Sequence, residues 1–206
     1  MRWTELAPSL PLQSLEALAE REPALAALLQ AGPSAAGLFV AVSAAAYEAV
    51  LRHLGDHPDE QGGLLLGEVF AEGDDPACSR ALRVTQAVPA QDFSGTGVSL
   101  RMASGVWEAA RARLGPHERV VGWYHSHPGL GAFFSHTDRR TQQAFFPHAY
   151  SVGWVVDPLR GESAWFVGPQ SLPAAVVIHA APHCVGGRPP TTTSGGETGS
   201  GACSSE

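Results

Sequence analysis

Apolar residues along this chain change their period at Gly37. Before it, Leu10, Leu12, Leu15, Leu18, Leu25, Leu28 and Leu29 recur at roughly helical spacing over residues 10–31. Pro23 interrupts that run and suits the first turn of a second short helix, and the break Gly32-Pro33-Ser34 separates this arm from the rest. A helical arm of this kind packs on the domain or docks a partner, and nothing in it carries chemistry. After Gly37 the runs shorten. Leu38–Val42 reads as a strand, and Ser43 can cap a helix whose apolar face holds Ala46, Tyr47, Val50, Leu51 and Leu54. Gly63–Phe70 is the continuous apolar run of a buried strand, and Arg80–Val88 predicts another. A Gly- and Ser-rich loop spans 94–99, and Met102–Leu114 fits an amphipathic helix with Val106, Trp107, Ala110 and Leu114 inward. Val120–His125 predicts a strand, Thr137–Phe145 a helix, and Tyr150–Val156, Ala164–Val167 and Ala174–Ile178 further strands. Helices and strands mix without strict alternation, which points to an α/β layered sheet rather than a doubly wound one. After Val185 the chain has no Leu, Ile, Phe, Tyr or Trp, so residues 181–206 are expected to form a disordered tail.

Composition narrows the class. The 206 residues suffice for one domain plus extensions, and 44% hydrophobic with 16% charged residues allow a sizeable core. A net charge of −7 argues against a nucleic-acid partner. All 13 basic residues are Arg, which a GC-rich genome explains together with the abundant Ala, Gly and Pro. Three cysteines (Cys78, Cys184, Cys203) without CxxC spacing exclude a disulfide framework and a Cys-ligated zinc site. Glu5, Glu16, Glu20 and Glu22 interrupt any apolar leader, and no stretch approaches the ~20 residues of a membrane helix. The expected location is cytoplasmic, with no membrane partner.

The chemistry concentrates in His125-Ser126-His127-Pro128, with Ser135 and Asp138 beyond it. Two imidazoles one residue apart in extended chain project to the same side. A carboxylate from the first turn of the following helix would complete three ligands, leaving a fourth position for water as in catalytic zinc sites. Singly, each residue has an ordinary alternative: Asp138 complements a helix N-terminus, and Ser135 caps it. The joint spacing favours the metal.

His125-Ser126-His127-Pro128-x6-Ser135-x2-Asp138 resembles the JAMM signature of the MPN+ metalloproteases, H-[ST]-H-P-x6-S-x2-D. Glu60-Gln61-Gly62-Gly63-Leu64-Leu65-Leu66-Gly67 resembles that family's upstream E-x-G-G-x-L-x-G element. Ser94–Ser99, Val121–Tyr124, Thr141-Gln142-Gln143 and Val155–Pro158 are similar to the proteasome-lid and signalosome isopeptidases, so the likeness runs from about residue 37 to 180. It implies an MPN fold, a central mixed β-sheet flanked by helices. It implies a catalytic domain at 35–180, and the periodicity and composition outside it give a helical extension at 1–34 and the tail at 181–206. The compact chain and its biased composition suggest a prokaryotic member. By resemblance, His125, His127 and Asp138 bind one Zn2+ whose fourth ligand is water. Glu60 is the general base and then acid, with Glu68 as the nearest rival, and Ser135 donates to the oxyanion. Segment 92–99 sits where the family carries a flap over the substrate tail. Trp123 and Tyr124 are expected behind the site, and His136 in its mouth. The implied substrate is ubiquitin or a ubiquitin-like protein cut after its C-terminal glycine, with E1- and E2-like pathway proteins as further partners. Two alternatives stand beside this: processing of a ubiquitin-like or sulfur-carrier precursor, and a non-catalytic MPN scaffold. A zinc nucleobase deaminase needs H-x-E and P-C-x-x-C, and neither is present.

Overall fold

The computed structural model describes residues 12–31, 37–55, 57–73, 75–91 and 104–179. The expected flap at 92–99 and tail at 181–206 lie outside the described residues, as does Leu10 of the arm. Among the described residues nine strands form one mixed sheet: β1 Gln13–Ser14, β2 Phe39–Ser43, β3 Gly62–Ala71, β4 Ser79–Pro89, β5 Arg119–Ser126, β6 Val152–Asp157, β7 Glu162–Val167, β8 Leu172–Ala174 and β9 Val176–His179. The spatial order is β8-β7-β6-β5-β3-β4-β2-β9, with β1 pairing on β3. Antiparallel β4-β3-β5 forms the middle, and parallel pairs join β2 to β4 and β5 to β6.

β8 and β9 are opposite edges of the sheet, yet Ala175 alone separates them along the chain. Three consecutive Cα atoms span at most about 7 Å. The sheet therefore curls until its two edges meet. The expected single strand at Ala174–Ile178 breaks there into two, because its halves pair with different neighbours: β8 with β7, and β9 with β2.

Helix α3 (Ala44–Leu54) lies within that curl. Ser43 caps it, its hydroxyl accepting from Ala46 N at 3.2 Å, and Ala46, Val50 and Leu54 join a core with Leu65, Val69, Trp154 and Trp165. Leu51, expected inward, is partly exposed at the helix edge. The other face of the sheet is covered by α4 (Ser104–Arg113) through Val106 and Ala110, and by Phe134 and Phe146 flanking α5 (His136–Phe145). With both faces covered, all ten residues of β3 are buried, which explains an apolar run interrupted only by Glu68. Gly63 is forced: a Cβ there would sit 2.3 Å from Val88 O and 2.7 Å from Tyr124 Oη.

The arm forms α1 (Leu15–Arg21) and α2 (Pro23–Ala31), with Pro23 opening the second helix. It packs on the domain. Leu18, Leu25 and Ala26 bury against Ala41, Phe70 and Ala81, and β1 runs parallel to the end of β3. A buried Glu68 fastens it. Its carboxylate accepts from Arg21 Nη1 at 2.9 Å, Gln13 Nε2 at 3.1 Å and Arg83 Nη1 at 3.2 Å, while Arg83 also pairs with Glu22 at 2.8 Å. Among the described residues no helix is long and apolar enough to cross a membrane.

Candidate metal centre

Strand β5 carries Trp123 and His125 on one face, since side chains alternate, and ends at Ser126. His127 N donates to Val156 O at 2.9 Å, so the chain stays extended alongside β6 for one more residue. Both imidazoles thereby reach the same side. The third donor arrives from α5 through a reciprocal cap. Ser135 Oγ accepts from Asp138 N at 3.2 Å, and Asp138 Oδ2 accepts from Ser135 N at 2.6 Å. The ordinary reading of these two residues as a helix cap is thus correct, and the cap aims the carboxylate at the histidines.

Three buried donors converge. His125 Nε2 and His127 Nε2 are 3.1 Å apart, His125 Nε2 is 3.4 Å from Asp138 Oδ1, and His127 Nε2 is 3.5 Å from Asp138 Oδ2. A tetrahedral ion with bonds of ~2.0–2.1 Å has ligand–ligand edges of about 3.3–3.4 Å. Each imidazole nitrogen lies near that distance from the other and from one Asp138 oxygen, His125 facing Oδ1 and His127 facing Oδ2. Two nitrogens and one carboxylate oxygen also suit zinc chemically, so the residues present fit this ion.

Charge in the site is set by burial and these neighbours. Burial pushes the His127 imidazole below its usual range, as does repulsion from His125, and this favours the neutral form a metal needs. Burial raises the Asp138 carboxyl, but hydrogen bonding and attraction to His125, with the Ser135 bonds, hold it down to about 2. Glu60 lies just ahead of β3 with Oε1 4.0 Å from His127 Nε2. Burial pushes its carboxyl up; His125 opposes this and Asp138 adds to it.

Three polar residues that lie in the family-like segments, but to which the sequence reading gave no role, frame the centre. Ser126 is fully buried, donating its N–H to Gln61 O at 2.8 Å and accepting from Gln61 N at 2.9 Å, so it fixes the backbone beside Glu60. Asp157, also fully buried, accepts from the N–H groups of Gly129, Gly131, Leu159 and Arg160. Those bonds hold the turn after Pro128, and against the effect of burial they keep its carboxyl below the usual range. Gln142 is buried beneath Trp123. Only Asp157 follows an apolar run; Ser126 stands between the two histidines and Gln142 between Thr141 and Gln143, so no single local pattern marks them. Trp123 is fully buried behind the histidines and stacked on His125, whereas Tyr124, equally buried, points to the opposite face of the sheet and shares a 2.9 Å hydrogen bond with His53. His136 is exposed beside Ser135. Glu68 is held in the arm-fastening cluster; the spacing from Glu60, at ~3.3 Å per extended residue, puts it roughly 25 Å away.

A family model described as prokaryotic homologs of the JAB domain matches residues 43–167. The 26S proteasome regulatory subunit rpn11 of Schizosaccharomyces pombe is 39% identical over 150 residues, covering 68% of this chain and 42% of that protein. A Saccharomyces cerevisiae protein named ubiquitin carboxyl-terminal hydrolase RPN11 is 37% identical over 128 residues, 60% of this chain and 36% of its own. The chain spans less than half the length of these relatives. A solution structure of a Desulfitobacterium hafniense protein superposes with a TM-score of 0.50 at 20% identity, covering 69% of this chain and 94% of that one. With 125 consecutive residues matched by the model, the chain belongs to the JAB/MPN domain family, among its prokaryotic homologues.

Proposed function

We propose that this chain is a zinc-dependent isopeptidase or peptidase that cleaves after the C-terminal glycine of ubiquitin or a ubiquitin-like protein. The observation that carries this reading is the buried convergence of His125, His127 and Asp138 at distances a zinc ion can bridge, with the Glu60 carboxylate 4.0 Å from His127. Held by the three donors, zinc supplies a Lewis acid that makes hydroxide available near neutral pH. Glu60 takes the proton from the attacking water and delivers it to the amine as the C–N bond breaks, leaving a glycine carboxylate. A carboxyl raised by partial burial suits both transfers. Ser135 accepts from Asp138 N through its oxygen, which leaves the hydroxyl hydrogen available for the developing oxyanion. A ubiquitin-like substrate is supported by the names of the relatives, and E1- and E2-like partner proteins follow from such a substrate.

The test uses the zinc-loaded full chain on two substrates, a modifier joined to a lysine ε-amine and the same modifier as a linear fusion. The expected result is cleavage of the lysine-linked form after the modifier's last glycine, lost on chelation and restored by zinc. Cleavage of fusions alone would make the chain a precursor-processing peptidase. Bound zinc with neither substrate cut would make it a scaffold.

A further inference from the structure

Among the described residues, the buried Nδ1 of His125 has no hydrogen-bond partner. Metal-binding histidines ordinarily donate that second nitrogen to a carboxylate, carbonyl or water, which fixes the ring plane. Here a different contact is in place. The indole of Trp123, two residues earlier on the same strand face, lies 4.5 Å from the His125 ring at an interplanar angle of 6°.

The indole is itself constrained. Trp123 Nε1 donates to Gln142 Oε1 at 2.7 Å, and Gln142 Nε2 donates to Ser151 O and Gly168 O, both at 3.3 Å. Two carbonyls on the amide nitrogen oblige its oxygen to face the indole, so the side chain has one orientation. The indole also runs parallel to Phe146 at 9°, with centroids 6.2 Å apart. Gln142 stands one helical turn beyond Asp138, on the same side of α5.

We propose that Trp123, clamped by Gln142, is the positioning residue that sets the His125 ring plane for the metal. Stacking thus replaces the missing Nδ1 hydrogen bond. Helix α5 supplies one ligand directly through Asp138 and braces a second through Gln142 and Trp123. This inference rests on the reading of His125 as a zinc ligand.

The test measures zinc affinity by chelator competition on the full chain, and the visible spectrum of the cobalt(II) form, alongside the melting temperature of the metal-free protein. Trp123→Phe keeps a ring to stack but loses the N–H that Gln142 holds, so it should weaken zinc no more than Gln142→Met does and clearly less than Trp123→Leu. Trp123→Leu removes the stack and should weaken zinc by about 10- to 100-fold, the usual range for loss of a ligand-orienting partner, with a shifted cobalt band. Gln142→Met keeps the volume but frees the indole, and should weaken zinc in the same direction; it carries the test if Trp123→Leu does not fold. A lower melting temperature with unchanged affinity and spectrum in Trp123→Leu or Gln142→Met would overturn the proposal and leave these residues as plain core. His125→Ala separates the two levels. Zinc binding that survives it would sink the ligand reading, and the brace with it. Zinc lost there but kept in Trp123→Leu and Gln142→Met would sink the brace alone.

Discussion

Glu60 and Glu68 flank one stretch of β3, and their surroundings are opposite. Glu60 sits half-buried with the histidine pair as its neighbour, and burial raises its carboxyl. Glu68 is more deeply buried; burial pushes it up as well, yet Arg21, Gln13 and Arg83 together pull it below its usual range. In the reaction proposed above, the first takes and returns a proton. The second is committed to holding the arm. Being a carboxylate on this strand decides nothing; the number of donors already bound to it decides its use.

The comparison can be broken most sharply at Glu60. Glu60→Gln should lower turnover by ~10²–10⁴-fold, the range for a general acid–base group, with zinc content unchanged. Metal analysis beside steady-state cleavage checks this, and equal turnover would remove Glu60 from the mechanism. Ser126→Ala comes next, because it releases the Gln61 backbone that places Glu60. About tenfold lower kcat is expected with KM and zinc retained, the scale on which a misplaced catalytic group costs rate. Ser126→Thr should restore most of it.

At the other end, Glu68→Ala should leave cleavage and zinc untouched and cost about 2 kcal/mol of stability, the scale of hydrogen bonds to charged groups. Urea unfolding gives the number, and protease cutting within residues 12–31 should accelerate. The smallest effect is in pH. A carboxyl lowered in the folded state contributes stability above the unfolded carboxyl value of ~4.3, and that contribution fades as pH falls through the folded value. Arm release followed by proteolysis should therefore begin below about pH 4, and Glu68→Gln should flatten that dependence.

Much of the strand pattern was legible because both sheet faces are covered, which writes β3 as apolar sequence apart from Glu68. Ser43 and Pro23 marked helix starts through strictly local rules, and both stand at helix starts in the fold. The meeting of the sheet edges at Ala175 was not legible, since strand pairing is decided by neighbours distant in sequence. Distance also hid the contrast between the two glutamates. Glu68 meets Arg21 and Gln13 across 47 and 55 residues, and Gln61 meets Ser126 across 65. The histidines and Asp138 could be read because their spacing is short and set by one strand end and one helix cap. Glu60 came only through family likeness, because nothing local separates it from Glu68.

The central claim is that one end of β3 faces a zinc centre. Anomalous diffraction at the zinc edge, from crystals grown with one equivalent of zinc, tests it directly. The expected map has a single peak bonded to His125 Nε2, His127 Nε2 and an Asp138 carboxylate oxygen, with Glu60 beside it. A peak elsewhere, or none within reach of those three side chains, would contradict the account.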